Sequence, residues 1–200
     1  MTHALAFNCT LKPSPELSST GALISDLFAE FAKQEVTGEQ IRVVDEIVAP
    51  GTLLDMGDGD DWPRLRERLL AADILVFGTP TWMGHMSSVA QRVLERLDAE
   101  LSETDQQGRL RMAGKVAVTV VVGNEDGAHK ITADLYQALA DVGFTIPSQG
   151  GTYWNGEAMH TTNYNDLGFV PETVARTNAK VARNAAHLAR LLAASPYPAR

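Results

Sequence analysis

The sequence contains a single cysteine among its 200 residues. One cysteine cannot form an internal disulfide, nor can it build the cysteine-rich clusters that hold structural zinc or iron–sulfur groups. Basic residues are also scarce, since 17 lysines and arginines face 25 aspartates and glutamates and give a formal net charge of −8. This balance argues against a binder of nucleic acid or of anionic membranes, because both attract positively charged surfaces.

Long apolar runs are missing as well. The longest one, residues 116–122, has the length of a strand, whereas a helix that spans a membrane needs roughly 18 apolar residues or more. The first eight residues lack the basic region and the apolar core of a secretory signal. We therefore expect a cytoplasmic protein with no membrane span.

The composition is that of a folded globular domain, with 44% hydrophobic and 21% charged residues. A chain of this length suits one domain. We expect a single domain over residues 1–195, followed by a flexible tail over residues 196–200.

Segments with the pattern of strands alternate along the chain with segments whose apolar residues follow helical spacing. The predicted strands are Ala4–Phe7, Ile41–Ile47, Asp73–Gly78, Val116–Val122 and a weak strand within residues 144–151. The third and fourth are almost wholly apolar, which is typical of strands buried on both faces of a parallel sheet. The alternation predicts an α/β fold in which helices cover both sides of a parallel five-stranded sheet.

In such sheets, ligands bind beyond the carboxyl ends of the strands, so the loops after the first, third and fourth strands are candidates. The first loop has neither Gly-x-Gly-x-x-Gly nor Gly-Lys-Ser/Thr, which disfavours a dehydrogenase-type dinucleotide site and a nucleoside-triphosphate site. Unpaired N–H groups at the start of the next helix could bind a phosphate monoester, or Ser18 could simply cap that helix. The candidate phosphate-binding residues are Thr10, Lys12, Ser18, Ser19 and Thr20.

The loops after the third and fourth strands are suited to a flat ring. The first of them places aromatic and apolar groups beside bare backbone, as a heteroaromatic ring requires, although Trp82 and Met83 could instead pack onto the protein. Glycines in the other loop allow the backbone to approach a ligand closely. The candidate ring-binding residues are Pro80, Thr81, Trp82, Met83, Gly84, Gly123, Asn124, Glu125, Asp126 and Gly127. A phosphate site and two ring-binding loops together predict flavin mononucleotide (FMN).

The loop after the third strand reads Gly78-Thr79-Pro80-Thr81-Trp82-Met83-Gly84. It resembles the Gly-x-Pro-x-aromatic-x-Gly loop of the flavodoxin-like superfamily, in particular of NADPH-dependent FMN reductases and related NAD(P)H:quinone oxidoreductases. Residues 114–127 are similar to the third flavin loop of that family. Ser18-Ser19-Thr20 stands where its phosphate-binding Ser-Asn-Thr usually lies, with Ser19 in place of the asparagine. The resemblance covers about residues 4–155.

This resemblance implies a flavodoxin-like three-layer fold, in which a doubly wound parallel sheet has the strand order 2-1-3-4-5. It also implies bound FMN, a homodimer or homotetramer, and an oxidoreductase that passes hydride from NAD(P)H to a small-molecule electron acceptor such as a quinone or a flavin. The flavin carries the chemistry, so no catalytic side chain is expected. A flavodoxin-type electron carrier and a flavin-free domain of the same fold remain as alternatives.

Three further residues are candidates for the substrate site. Tyr153 and Trp154 follow the predicted fifth strand and could wall the acceptor site, or could form a packed aromatic cluster under a loop. His129 could bind a ligand from the start of a helix. No metal site is predicted, because the six acids of residues 45–61 do not match a calcium loop. We expect these acids to form a solvated loop.

Overall fold

The computed structural model describes residues 1–157 and 159–199. It contains six strands: β1 (Thr2–Asn8), β2 (Val36–Arg42), β3 (Ile74–Trp82), β4 (His85–Met86), β5 (Val116–Gly123) and β6 (Gly151–Asn155). Five of them form a parallel sheet of order β2-β1-β3-β5-β6. The two-residue strand β4 only forms an antiparallel hairpin with the end of β3. Counted along the chain, the parallel strands therefore follow the predicted order 2-1-3-4-5, which confirms the flavodoxin-like fold.

Helices cover both faces of the sheet. The five helices are α1 (Ser19–Ala32), α2 (Trp62–Ala71), α3 (Ser88–Leu97), α4 (Ala128–Asp141) and α5 (Glu172–Ala194). Apolar residues of α1 and α5 pack on one face of the sheet, and those of α2, α3 and α4 pack on the other. Side chains alternate between the two faces along each strand. In β5, for example, Val118 and Val120 face α1 and α5, whereas Ala117 and Val121 face the opposite layer.

The second strand lies earlier in the sequence than predicted. The predicted strand covered Ile41–Ile47, but β2 covers Val36–Arg42, and Val43–Asp45 form a short 3-10 helix. β2 is an edge strand whose middle residues are mostly solvent-exposed, so its apolar signal is weak. Val43 is buried because the 3-10 turn directs it into the core, and this burial imitates the pattern of a strand.

The fifth parallel strand lies later than predicted. Residues 144–151 were expected to hold it, yet Thr145 forms only an isolated bridge to Val116, and β6 begins at Gly151. Tyr153 and Trp154 consequently lie inside the strand and not after it. Since side chains alternate along a strand, these two aromatic residues face opposite sides of the sheet.

The acidic loop is not solvated throughout. Asp60 is buried and accepts a 2.8 Å salt bridge from Arg96, which is itself fully buried on α3. The Arg96 guanidinium also donates to the carbonyls of Ala49 and Leu53 and lies 5.6 Å from the centroid of the Trp62 ring. A cation in the core therefore fixes the loop that precedes α2.

The structure bears on the expected absence of a membrane span and on the expected tail. Among the residues that the structure describes, no helix is long and apolar enough to cross a membrane. In the predicted tail, the hydroxyl of Tyr197 lies 3.0 Å from Thr145 Oγ1, and its carbonyl accepts a hydrogen bond from Arg109. Arg200, the last residue of that segment, lies outside the described residues.

Candidate functional site

A cleft of about 200 Å³ opens at the carboxyl edge of the sheet. It lies above β1, β3 and β5, where the strand order reverses and where open α/β sheets bind their ligands. Residues from three separate loops, from β6 and from the segment before α5 line it: Thr10, Leu11, Lys12, Ser18, Ser19, Thr20, Pro80, Thr81, Trp82, Val122, Gly123, Asn124, Trp154 and Asn163.

The N-terminus of α1 forms one end of the cleft. Ser18 is the N-cap, and its Oγ accepts a 3.0 Å hydrogen bond from the N–H group of Gly21. The first backbone bond of the helix runs from Ala22 N to Ser18 O, so the N–H groups of Ser19 and Thr20 precede it and have no partner within the helix. These two groups and the positive end of the helix dipole together favour an anion at this end of the cleft.

The loop before α1 brings Lys12 to the same end. The N–H group of Lys12 donates to Thr10 Oγ1, and the guanidinium of Arg42 donates to the Lys12 carbonyl. Lys12 makes no salt bridge with a described residue. Ser14 is directed elsewhere, because its N–H and hydroxyl groups both donate to Asp45, and these bonds lower the pKa of that carboxyl.

The β3–β4 hairpin forms the second wall. Its two turn residues, Met83 and Gly84, have φ angles of 51° and 74°, as a two-residue type I′ turn requires. Trp82 lines the cleft although its side chain is 52% exposed, and Met83 is 87% exposed outside the cleft. Both residues are therefore accessible to a ligand, and their role in binding a ring stays a prediction.

The loop after β5 forms the third wall and touches the hairpin. Of the predicted residues 123–127, only Gly123 and Asn124 line the cleft. Glu125 accepts a 2.8 Å hydrogen bond from the N–H group of Met83 and so joins the two loops. The other two residues of the predicted set, Asp126 and Gly127, complete the turn into α4, and the side chain of Asp126 accepts from the N–H group of Gly127.

One residue in the lining of the cleft carries an unsatisfied polar atom. The Oγ1 atom of Thr81 is buried and has no hydrogen-bond partner within the described part of the chain. A Cβ at Gly123 would lie 2.9 Å from this atom, so the glycine leaves room beside it. Buried hydroxyl groups usually have a partner. The cleft thus offers an anion site at the start of α1 and an unpaired hydroxyl group in a residue of its lining, and these features fit a phosphorylated ligand such as FMN.

The far side of the cleft was only partly predicted. Trp154 lines it and packs edge-on against Tyr164, with 5.6 Å between the ring centroids. Asn163 is next to Tyr164 and forms a capping box with Asp166. Three further residues line the cleft and were not predicted from the sequence, namely Leu11, Val122 and Asn163. The Asn-x-x-Asp spacing could have indicated the capped turn, but nothing in it places the turn beside this cleft.

Tyr153 and His129 lie away from the cleft. The Tyr153 hydroxyl is 3.1 Å from His129 Nε2, and the two rings pack edge-on. Both residues line a separate groove of about 290 Å³ between α4, β6 and α5. Of the three residues predicted for the substrate site, only Trp154 therefore shares the cleft with the predicted cofactor residues.

Among the described residues that line the cleft there is no cysteine, histidine, aspartate or glutamate. Cys9 is fully buried at the end of β1, and burial raises the pKa of its thiol, so the reactive thiolate is disfavoured. Over residues 1–157 and 159–199, no three histidine, cysteine, aspartate or glutamate side chains come together to hold a metal ion. What the geometry offers is binding and orientation of a ligand.

Comparison with known proteins gives the site a context. The sequence profile of NADPH-dependent FMN reductases matches residues 3–158. The chain is 31% identical over 207 residues to the 8-demethyl-8-aminoriboflavin-5'-phosphate synthase of Streptomyces davaonensis, covering 97% of this chain and 79% of that protein. It is 38% identical over 170 residues to the divalent metal cation transporter MntH of Mycobacterium bovis, covering 83% of this chain. The chain spans only 25% of the length of that transporter.

Solved structures agree on the fold. RosB with the bound intermediate OHC-RP (8-demethyl-8-formylriboflavin-5'-phosphate) superposes with a TM-score of 0.91 at 30% identity, covering 98% of this chain and 82% of RosB. The apo NADH:FMN oxidoreductase EMOB superposes with a TM-score of 0.62 at 19% identity, covering 96% of this chain and 90% of EMOB. The second likeness concerns the fold alone.

Proposed function

We propose a function on one premise: the chain belongs to the NADPH-dependent FMN reductase family and is an FMN-dependent oxidoreductase. In the proposed reaction, NAD(P)H gives up a hydride and a small acceptor, such as a quinone or a free flavin, is reduced. FMN bound in the cleft would supply the hydride-transfer chemistry, and the residues of the chain would bind, orient and shield it.

The observation that carries this proposal is the N-terminus of α1. The N–H groups of Ser19 and Thr20 have no partner within the helix and border the cleft, and the Lys12 side chain belongs to the same end. Together they would hold the phosphate of FMN, because a helix N-terminus and a cation both favour a dianion. The hydroxyl of Thr81 would then bind a polar group along the chain that links the phosphate to the ring.

The β3–β4 hairpin and the loop after β5 would flank the ring. Trp82 lines the cleft, and about half of the residue is exposed to solvent. A ring beside Trp82 would keep one side accessible to solvent, as a site that donor and acceptor enter in turn requires. The hydrogen bond between Glu125 and Met83 N fixes the two loops relative to each other and so pre-organises the ring site.

The experiment is an acceptor screen on the purified protein loaded with FMN. We expect NADH or NADPH to be consumed when benzoquinone or riboflavin is added, with negligible consumption without protein. Trp82→Ala should change the visible spectrum of bound FMN, whereas Trp82→Phe should largely preserve it. NAD(P)H consumption that depends on a partner protein would instead identify an electron carrier, and failure to bind FMN would contradict the proposal.

A second candidate function treats the flavin as the substrate. It is favoured by one observation, the 31% identity over 97% of the chain to a synthase whose product is a riboflavin 5'-phosphate altered at ring position 8. Exchange of a ring methyl group for an amino group needs an oxidant and a nitrogen donor. FMN incubated aerobically with the protein and an amino acid or ammonium should then change in mass, which mass spectrometry detects. Unaltered FMN together with steady NAD(P)H consumption would exclude this candidate.

The proposal also covers the number of subunits and the bounds of the domain. We propose that residues 1–195 act as one domain and that the cytoplasmic protein is a homodimer or homotetramer. Exposed apolar side chains at the site end of the sheet, among them Leu17, Met83 and Phe169, support a partner surface there. Light scattering coupled to size-exclusion chromatography measures the mass, and a monomer at micromolar concentration would contradict this assembly.

A further inference from the structure

The geometry points to Tyr164 and Asp26 as positioning residues of the cleft. Their hydrogen bond holds the strap, defined as residues 161–168, against the cleft and sets how slowly FMN leaves. This inference rests on the proposed binding of FMN and deepens it. A cofactor stays bound through many turnovers, whereas a substrate is released in each one, so the release rate of FMN distinguishes the two proposed functions.

Tyr164 attaches the strap to the body of the protein. It is the one buried side chain of residues 161–168 and is 5% exposed. Its hydroxyl donates a 2.7 Å hydrogen bond to Asp26 Oδ2 on α1, the helix whose first turn carries Ser19 and Thr20. Burial raises the pKa of Tyr164, and the bond to the carboxylate raises it further, so the phenol stays protonated and remains the donor.

The attachment places the strap directly at the cleft. Asn163 precedes Tyr164 in the chain and lines the cleft, and the Tyr164 ring packs on Trp154, which lines it as well. Asn163 is fixed by its capping box with Asp166. The N–H groups of Asn163 lower the pKa of Asp166, and the positive charge of Lys12 adds to this shift. Lys12 and Asn163 line the same cleft.

The cleft is small, so a flavin bound in it would lie close to the strap. Its volume of about 200 Å³ lies below the roughly 300–1,000 Å³ of pockets that enclose small ligands. A phosphorylated flavin would therefore reach Asn163 on the strap, and in the proposed mechanism the strap moves aside as the flavin leaves. Such motion is local, because few buried groups oppose it and Gly168 at its end has φ +67° with open space around it.

The Tyr164–Asp26 bond is then the contact that opposes opening. It joins a hydroxyl donor to a charged acceptor, and hydrogen bonds of this class are stronger than neutral ones. Tyr164→Phe removes the bond and leaves the ring on Trp154, and Asp26→Ala removes its acceptor. If the bond acts through the strap, the double variant should release FMN no faster than either single variant, since both remove one interaction.

The test compares FMN release in these variants with that in Tyr197→Phe. Tyr197 also loses a hydroxyl contact, 3.0 Å from Thr145 Oγ1, but at the opposite end of the sheet. The release rate is read from the recovery of flavin fluorescence after dilution. Hydrogen–deuterium exchange of residues 161–168 without flavin reports the strap itself. Asp26→Leu, which keeps much of the side-chain volume and has no acceptor, replaces Asp26→Ala should the alanine variant fail to fold.

We expect release to accelerate about tenfold or more in Tyr164→Phe and Asp26→Ala, with faster amide exchange confined to the strap. Tyr197→Phe should release FMN at the wild-type rate. Unchanged release, equal acceleration in Tyr197→Phe, or faster strap exchange without faster release would each overturn the inference. If the wild-type protein binds no FMN, the proposed function fails with it, whereas tight binding with unchanged release removes only the role of Tyr164 and Asp26.

Discussion

Gly127 lies directly against Gly84, so that the two loops around the cleft touch through bare backbone. A Cβ on Gly127 would be 2.8 Å from Gly84 Cα, which is closer than non-bonded carbon atoms approach. The glycine at 127 was predicted to let the backbone approach a ligand. In the structure it lets one loop approach the other, whereas Gly123 is the glycine that lines the cleft.

Gly127→Ala should separate these loops. Gly127 has φ 139°, so the new side chain brings both backbone strain and a steric clash. Gly57→Ala is the matched control, because Gly57 has φ +101° with no atom within 4 Å of the new Cβ. Urea denaturation should show that Gly127→Ala loses about 1–3 kcal/mol more stability than the control, and FMN should bind it more weakly. Equal losses of stability in the two variants would show that the loops can accommodate a side chain between Gly127 and Gly84.

Arg96→Met should strongly destabilise the protein. The change keeps much of the side-chain volume but leaves Asp60 buried without its cation, and removal of one partner of a buried pair costs about 3–5 kcal/mol. Lys130→Met breaks the exposed pair of Lys130 with Asp134 and should cost no more than about 0.5 kcal/mol. Both values come from denaturant unfolding at neutral pH. A loss below about 1 kcal/mol in Arg96→Met would mean that the pair does not fix the acidic loop.

Asp60 should also contribute to the pH dependence of stability. Burial raises its pKa, but hydrogen bonds from the N–H group of Met56 and from Arg96, with others, outweigh this effect, so the folded pKa lies below its usual value of 3.8. The stabilisation is therefore complete above roughly pH 5 and is lost as the pH falls through 3.8 towards the folded pKa.

The measurement for Asp60 is the difference in unfolding free energy between the wild type and Asp60→Asn as a function of pH. This difference should be constant from neutral pH down to roughly pH 5 and then shrink. A difference that grows on acidification would mean that the folded pKa is raised.

Thr20→Glu should weaken the binding of FMN more than that of riboflavin. The new carboxylate would stand at the end of the cleft that borders the α1 N-terminus and would repel a phosphate, which riboflavin lacks. We expect the ratio of the two affinities to shift by about tenfold or more. Because Thr20 is buried, the ratio corrects for any general damage to the fold. An unchanged ratio would place the phosphate elsewhere.

The sequence predicted the strands that are buried, because a buried strand consists mostly of apolar residues. β3 and β5 are buried on both faces along most of their length, and both appear in the sequence as nearly continuous apolar runs. β2 and β6 are edge strands with exposed residues, so their signal was weak and each was misplaced by several residues. Arg96 could not be predicted as a core residue, because its burial depends on a loop more than 30 residues away in sequence.

The candidate site was predictable where it follows from the ends of strands. The three loops were expected to meet because parallel strands end at one edge, and ten of the fifteen predicted cofactor residues line one cleft. The other five, Met83, Gly84, Glu125, Asp126 and Gly127, lie in the same loops but outside that lining. The contribution of Asn163 depends on how the chain folds back after β6, and no local pattern specifies that path.

The most direct test of the account is a crystal structure of the protein with FMN. We expect the phosphate oxygens within about 2.7–3.2 Å of the Ser19 and Thr20 nitrogens, the ring beside Trp82, and Asn163 closing the far side. FMN bound in the groove of His129 and Tyr153, or a phosphate turned away from the start of α1, would contradict it.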